Sequence, residues 1–350
     1  MPKKILMIIS DLGAGGAQKN FTFVANILAS NDFDLSILKF NNEESCFKIN
    51  NNIKIYNLNL LYSSKNIFQK ITYNIYRIFQ IRRFIKKQCP NIIISFMNQT
   101  NILTILASLR INSKVIISDR NNPKKQPDHF FWKLLRFFVY KKANLLVVNS
   151  QEAFYYYQQK LLNKNIKLIN NPIVYKGTYR NKKKVILSVS RLHKQKSLET
   201  LLFAFSKFIQ KNKSWKLIII GKGKEGIKLK KMSKELFIEN KVSWINQTKD
   251  IDKYYKIAEI FCLTSRYEGF SNSLLEALSH NLNCVVSESA ISKNKNIHKF
   301  ITTFKTTDSE DLFKKLNIVS NRKKQIDSAE LINKDFSKDK IVKDWIDCLS

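Results

Sequence analysis

Two carboxylates, Glu268 and Glu276, stand eight positions apart in Arg266-Tyr267-Glu268-Gly269-Phe270-Ser271-Asn272-Ser273-Leu274-Leu275-Glu276-Ala277. The apolar run Ile260-Phe261-Cys262-Leu263 precedes them, and Leu274, Leu275 and Leu278 follow at helical spacing. The stretch therefore reads as a strand, a glycine turn and a helix. The start of such a helix aims free backbone N–H groups above the sheet, which suits a phosphate or a sugar oxygen. Glu268 falls in the turn, and Glu276 one to two turns into the helix at about 1.5 Å of rise per residue. The pair can grip two hydroxyl-bearing parts of one ligand. Spacing alone favours a plainer reading, a loop acid and a helix-surface acid.

Two more loops could meet a phosphate. Gly13-x-Gly15-Gly16 follows an apolar strand at Lys4–Ser10. Its glycines let backbone come close to a ligand at the mouth of a helix. It lacks the full dinucleotide fingerprint and the Lys-Ser/Thr of a triphosphate loop. Ser190-Arg191-Leu192-His193-Lys194-Gln195-Lys196 follows a strand at Val185–Val189. There Arg191 offers a planar fork and Lys196 a point charge to a diphosphate. In so basic a chain, two surface cations are the competing reading.

The elements that must hold these loops alternate. Short β-rich runs at Leu35–Phe40, Ile53–Leu58, Asn91–Phe96, Lys114–Ser118 and Asn144–Asn149 are separated by helical stretches. Asn170-Asn171-Pro172 breaks the series. It restarts at Val185–Val189 and continues through Lys216–Ile220, Val242–Ile245, Ile260–Leu263 and Asn283–Ser287. Buried strands alternating with helices call for parallel sheets covered on both faces. The expected fold is α/β, with two doubly wound, Rossmann-like domains facing across a cleft. The expected boundaries are 1–172 and 173–330, with a C-terminal helix in 331–350 that returns to the first domain.

Together these motifs resemble glycosyltransferase family 4, retaining enzymes of the GT-B fold. The resemblance spans nearly the whole chain: Gly15-Gly16, the Asn-Pro hinge, Ser190-Arg191-Leu192 with Lys196, Ile220-Gly221-Lys222-Gly223, and Glu268-Gly269-Phe270-Ser271 with Glu276. The first half is similar to bacterial members that extend lipid-linked oligosaccharides, through Ile94-Ser95-Phe96, Thr100-Asn101 and Ile117-Ser118-Asp119-Arg120-Asn121. The resemblance implies that Arg191 and Lys196 bind the donor's diphosphate and that Glu276 holds its ribose. Glu268 and the backbone of Gly269, Phe270 and Ser271 would contact the donor sugar and its phosphate. Gly15, Gly16, Gly221 and Gly223 would join the donor site, and Asn101 and Arg120 the acceptor side. Domain 1–172 would then bind the acceptor and 173–330 the nucleotide sugar.

The sequence departs from the family at two places. Arg120 stands where many members have a His, and it cannot act as a base because it stays protonated. After Val286 the usual Gly pair and Glu give way to Ser287-Glu288-Ser289-Ala290-Ile291-Ser292. The histidines, His129, His193, His280 and His298, show no partner in sequence. Asp32-Phe33-Asp34, an Asp-x-Asp, lies far from the loops, and protein cations are expected to do the work of a metal. No metal and no cofactor beyond a nucleotide-diphosphate sugar is expected.

The formal charge is +34, shared by both halves, which would draw the chain to anionic membrane surfaces. The five cysteines are scattered without Cys-x-x-Cys, as in a reducing cytosol. The N-terminus reads as a strand rather than a signal peptide, and no apolar run reaches the roughly 20 residues of a membrane span. Lys70–Lys87 and Phe130–Phe138 mix apolar and basic residues at helical spacing. They suit either a core helix with a solvated basic face or a helix lying on an anionic membrane. The expectation is thus a peripheral cytoplasmic transferase acting on a lipid-linked saccharide or surface-polysaccharide precursor. The alternatives are a sugar-nucleotide epimerase on the same fold, or a non-catalytic basic module for membrane or nucleic acid. A glycosidase, which also uses two carboxylates, ranks below these because the phosphate-ready loops would go unused.

Overall fold

The computed structural model describes residues 2–349 except 14, 32, 61–65, 121–122, 124–129, 162–164, 174, 178–181, 247, 249, 292–294 and 323–326. Ala14, Asp32, Asn121, His129 and Ser292 lie outside the described residues. The chain forms two compact units, residues 1–171 with 339–350, and residues 172–338.

The first unit runs β1 (Lys4–Ile8), α1 (Gly16–Ala29), β2 (Asp34–Lys39), β3 (Lys54–Asn57), α2 (Ile67–Gln88), β4 (Ile92–Phe96) and α3 (Asn98–Ser108). It continues with β5 (Lys114–Asp119), α4 (Phe130–Val139), β6 (Leu145–Val148), α5 (Gln151–Lys160) and β7 (Ile166–Leu168). All its strands pair in parallel, in the order β3-β2-β1-β4-β5-β6-β7. Phe21, Val24 and Leu28 of α1 cover one core with Trp345 and Leu349. Ile81 and Ile85 of α2, Ile102 and Ile105 of α3, and Tyr157 of α5 cover the other.

The second unit runs β8 (Val185–Val189), α6 (Leu198–Lys211), β9 (Lys216–Ile220), α7 (Gly226–Glu235), β10 (Val242–Ile245), α8 (Asp252–Ile257) and β11 (Ile260–Leu263). Then come α9 (Asn272–Ser279), β12 (Asn283–Ser287), α10 (Lys295–His298), β13 (Ile301–Phe304), α11 (Ser309–Ser320) and α12 (Ala329–Asp335). The parallel order is β10-β9-β8-β11-β12-β13. Each sheet reverses its strand order next to its first strand, between β1 and β4 and between β8 and β11. Loops leaving those strand ends border the crevice where doubly wound sheets take ligands.

The last helix, α13 (Lys338–Ile346), packs on the first unit. The crossing falls after Lys338 and not at 331, because Leu331, Ile332 and Phe336 are buried in the second unit's core. Trp345 is fully buried and stacks on Phe96, with ring centroids 5.9 Å apart. Trp345→Ala should cost about 3–5 kcal/mol. A urea titration followed by circular dichroism should show the lowered midpoint.

Candidate active site

In the second unit, the loops after β8 and β11 are joined by three hydrogen bonds. Arg266 N donates to Gln195 O (2.7 Å), Gln195 Nε2 to Tyr267 O (2.8 Å), and Thr264 Oγ1 to Lys196 O (2.7 Å). Between them the Lys196 ammonium pairs with Glu268 Oε1, their side chains 14% and 10% exposed. Ser265 Oγ donates to the same carboxylate oxygen at 2.6 Å. Lys196 closes a short 3-10 turn, and Ser197 after it takes a left-handed φ of +47° to start α6. Arg191 stands exposed on the same loop.

Gly221 and Gly223 hold that loop in place. Gly221 has φ +149°, and a Cβ there would stand 1.9 Å from Ser190 O; one on Gly223 would stand 2.3 Å from Leu192 O. Ser190 N donates to Ile220 O (3.0 Å) and Leu192 N to Lys222 O (3.0 Å). These glycines thus let two backbones touch, which positions Arg191.

Ser271 caps α9, its Oγ accepting from Leu274 N at 3.3 Å. The cap leaves Gly269 and Phe270 at the mouth of the helix, with Phe270 packed against Phe336 at 5.6 Å. Inside α9, Glu276 Oε2 accepts from Tyr255 Oη at 3.0 Å. Tyr255 is buried, and burial first and the Glu276 charge second push its phenol well above its ordinary value. It therefore stays protonated as a donor. Its ring stacks on His280 at 5.1 Å, and His280 bridges Glu276 O and Asp252 Oδ1, each at 2.8 Å. His280 has a partner after all.

The altered segment after Val286 ties into the same loops. Ser287 Oγ donates to Ser265 O (2.5 Å) and Ser289 Oγ to Arg266 O (2.7 Å). Ser287 and Ser289 of this segment thus brace the Glu268 turn. His193 only caps the 3-10 turn, accepting from Gln195 N.

The remaining candidates lie in the first unit. Gly15 caps α1 with extended backbone, Gly16 opens the helix, and Asp11 braces the loop by accepting from Gly13 N (3.2 Å) and Gln18 Nε2 (2.8 Å). Asn101 is a correction. It is fully buried, accepting from Ser95 Oγ (2.8 Å) and donating to Ser118 O (3.0 Å) and Tyr140 Oη (3.2 Å), so its amide is spent inside the fold. Arg120 also points inward. Its Nε donates to Ser118 Oγ (2.8 Å), its Nη1 to Ile169 O (3.0 Å), and its plane sits over the Phe96 and Trp345 rings. Burial pulls the guanidinium down to about 9, against the raising influence of Asp119 and Cys348. An exposed contact for an acceptor is not what this environment offers.

Residues 173–334 match the family model "Glycosyl transferases group 1". The second unit is a group 1 glycosyltransferase domain. The chain is 28% identical to an α-1,4-N-acetyl-D-galactosaminyltransferase of Campylobacter jejuni over 98% of this chain and 97% of that protein. The name of that relative gives its acceptor as a GalNAc-containing saccharide on diphospho-undecaprenol. Among solved structures, the sucrose-phosphate synthase of Thermosynechococcus elongatus aligns with TM-score 0.83 at 15% identity, covering 99% of this chain and 98% of that one. HepE of Anabaena, solved with UDP and glucose, aligns with TM-score 0.78 at 15% identity over 99% of both chains. The protein is therefore a glycosyltransferase of the GT-B fold, which is consistent with the resemblance to family 4.

Two outcomes follow from the geometry of this glycosyltransferase. Lys196→Ala or Glu268→Ala alone should destabilise by about 3 kcal/mol, since each removes the opposite charge from a largely buried ion pair. The double variant should lose clearly less than the sum, read as coupling from denaturant midpoints. Tyr255→Phe should raise the donor KM by roughly tenfold at nearly constant kcat, the loss of one hydrogen bond to a charged group.

Proposed function

We propose that this glycosyltransferase moves a sugar, with retention and without a metal, from a nucleotide-diphosphate sugar to a saccharide on a lipid diphosphate. The observation that carries the reading is the stitched pair of loops, which sets Arg191, Lys196, Glu268 and the mouth of α9 at adjacent strand ends. In the transfer, the anomeric C–O bond to the diphosphate breaks and the diphosphate leaves with the electron pair. The acceptor hydroxyl oxygen forms the new bond and gives up its proton. Charge develops on the diphosphate, where Arg191, Lys196 and the N–H groups from Gly269 to Ser271 stabilise it. Glu276, steadied by Tyr255, receives the ribose hydroxyls. Glu268 sets the height of the Lys196 ammonium and faces the sugar.

The acceptor class rests on the Campylobacter relative, whose name puts its saccharide on diphospho-undecaprenol. We assign acceptor binding to the first unit and donor binding to the second. Among the described residues no helix is long and apolar enough to cross a membrane. A lipid-linked acceptor and a charge of +34 both fit a peripheral position on an anionic membrane surface, facing the cytoplasm where nucleotide sugars are made.

The test supplies purified protein with a panel of UDP-sugars and an undecaprenyl-diphosphate saccharide in detergent. One equivalent of UDP should appear per sugar transferred, unaffected by EDTA. Glu276→Ala should lower kcat/KM by about 10²-fold or more while the fold persists. Interconversion of donor sugars without acceptor would establish the epimerase instead.

A further inference from the structure

Two helices of the first unit that both pack on α3 each leave an apolar stripe in solvent. On α2, Ile71, Ile75 and Phe79 recur every fourth residue and are 49%, 49% and 67% exposed, while Ile81 and Ile85 face the core. On α4, Phe131, Leu134 and Phe138 recur at third and fourth positions, with 49%, 47% and 58% exposure. Such residues normally turn inward on a helix of a soluble domain. Both helices pack on α3, on one face of the sheet, so both stripes look away from it.

Each stripe leads into cations, further along α2 in one case and in the 3-10 turn that follows α4 in the other. Counting by fours from Phe79 reaches Arg83 and Lys87, both exposed. Counting on from Phe138 reaches Lys141 and Lys142, both exposed, with Lys141 Nζ lying 4.5 Å from the Phe137 ring centre. Around α2 no acid offsets them in sequence: residues 45–118 hold eleven Lys and Arg and no Asp or Glu. Arg77 and Arg82 are committed to backbone carbonyls, Leu60 O for the first and Ala107 O and Leu109 O for the second. Arg83 and Lys87 are not so committed.

We propose that the outer face of α2 and α4 docks on an anionic lipid bilayer. Ile71, Ile75, Phe79, Phe131, Leu134 and Phe138 enter the boundary between headgroups and acyl chains, and the cations that end each stripe meet lipid phosphates. An apolar face edged by cations, with α2 lying in an acid-free stretch, matches that surface in both polarity and charge. A second protein copy would bring the same positive field against itself. The inference rests on the membrane-linked acceptor proposed above and adds which face meets the membrane.

The test is cosedimentation of the full chain with phosphatidylcholine vesicles, with and without phosphatidylglycerol, at low and high salt. Wild type should bind the anionic vesicles, and salt should weaken that binding. The variant with Phe79→Asp and Phe138→Asp should bind about tenfold more weakly or worse, having lost two buried aromatic side chains. Arg83→Glu with Lys87→Glu should reduce binding to anionic vesicles alone. Undiminished binding by the aromatic variant would overturn the proposal. So would equal binding to neutral vesicles, or a wild-type dimer that the substitutions dissociate. Both variants should keep the wild-type melting temperature and transfer to the detergent-dispersed acceptor. Vesicle binding that behaves as expected without any transfer in detergent would leave the face standing and remove the acceptor reading.

Discussion

Lys196 and Glu268 are 72 positions apart in sequence, and their contact exists because β8 and β11 pair side by side in parallel. That adjacency brings two loops from the same edge of the sheet within reach, and backbone hydrogen bonds then fix their relative height. A cation buried to this degree needs a partner, and Glu268 supplies one without removing the lysine from the edge of the site. Ser265, Ser287 and Ser289 tighten the turn from below by bonding to it or to its carbonyls. The same adjacency explains the glycines after β9, where any side chain at Gly221 or Gly223 would push the Arg191 loop out of register.

Much of this was legible in the chain. Strands such as Val185–Val189 and Ile260–Leu263 are short, apolar but for Ser188 and bracketed by turn residues, and they fold as read. The structure adds β7 and β13, edge strands of three and four residues whose half-buried side chains give no apolar run to notice. Of the site, the side chains on the three loops were visible because glycine, paired acids and cations at strand ends have few structural uses together. Tyr255 and Asp252 were not visible, because they act from a helix that precedes β11 and meet Glu276 and His280 only through packing. Asn101 misled for a related reason: an asparagine that satisfies buried carbonyls and hydroxyls looks in sequence like one that greets a ligand.

Arg120 shows how a polar group can serve the frame. With its folded value pulled below that of a free guanidinium, the unfolded chain holds the proton more tightly, so the buried charge opposes folding at neutral pH. Three acceptor contacts and two aromatic faces offset that cost, and they join β5, the end of the first unit's main run and α13. The residue is a rivet among elements distant in sequence.

The placement of Trp345 has a consequence for the order of events during synthesis. Residues 339–350 close a core whose other walls are made before residue 171, and the whole second unit is translated in between. A nascent first unit emerges with Phe21, Phe96 and the Arg120 guanidinium lacking their cover, whereas the second unit has all its residues once Lys338 is made. The usual sequence of amino-terminal domain first is inverted here: the later-made unit is the first to be complete, and the earlier one waits for α13.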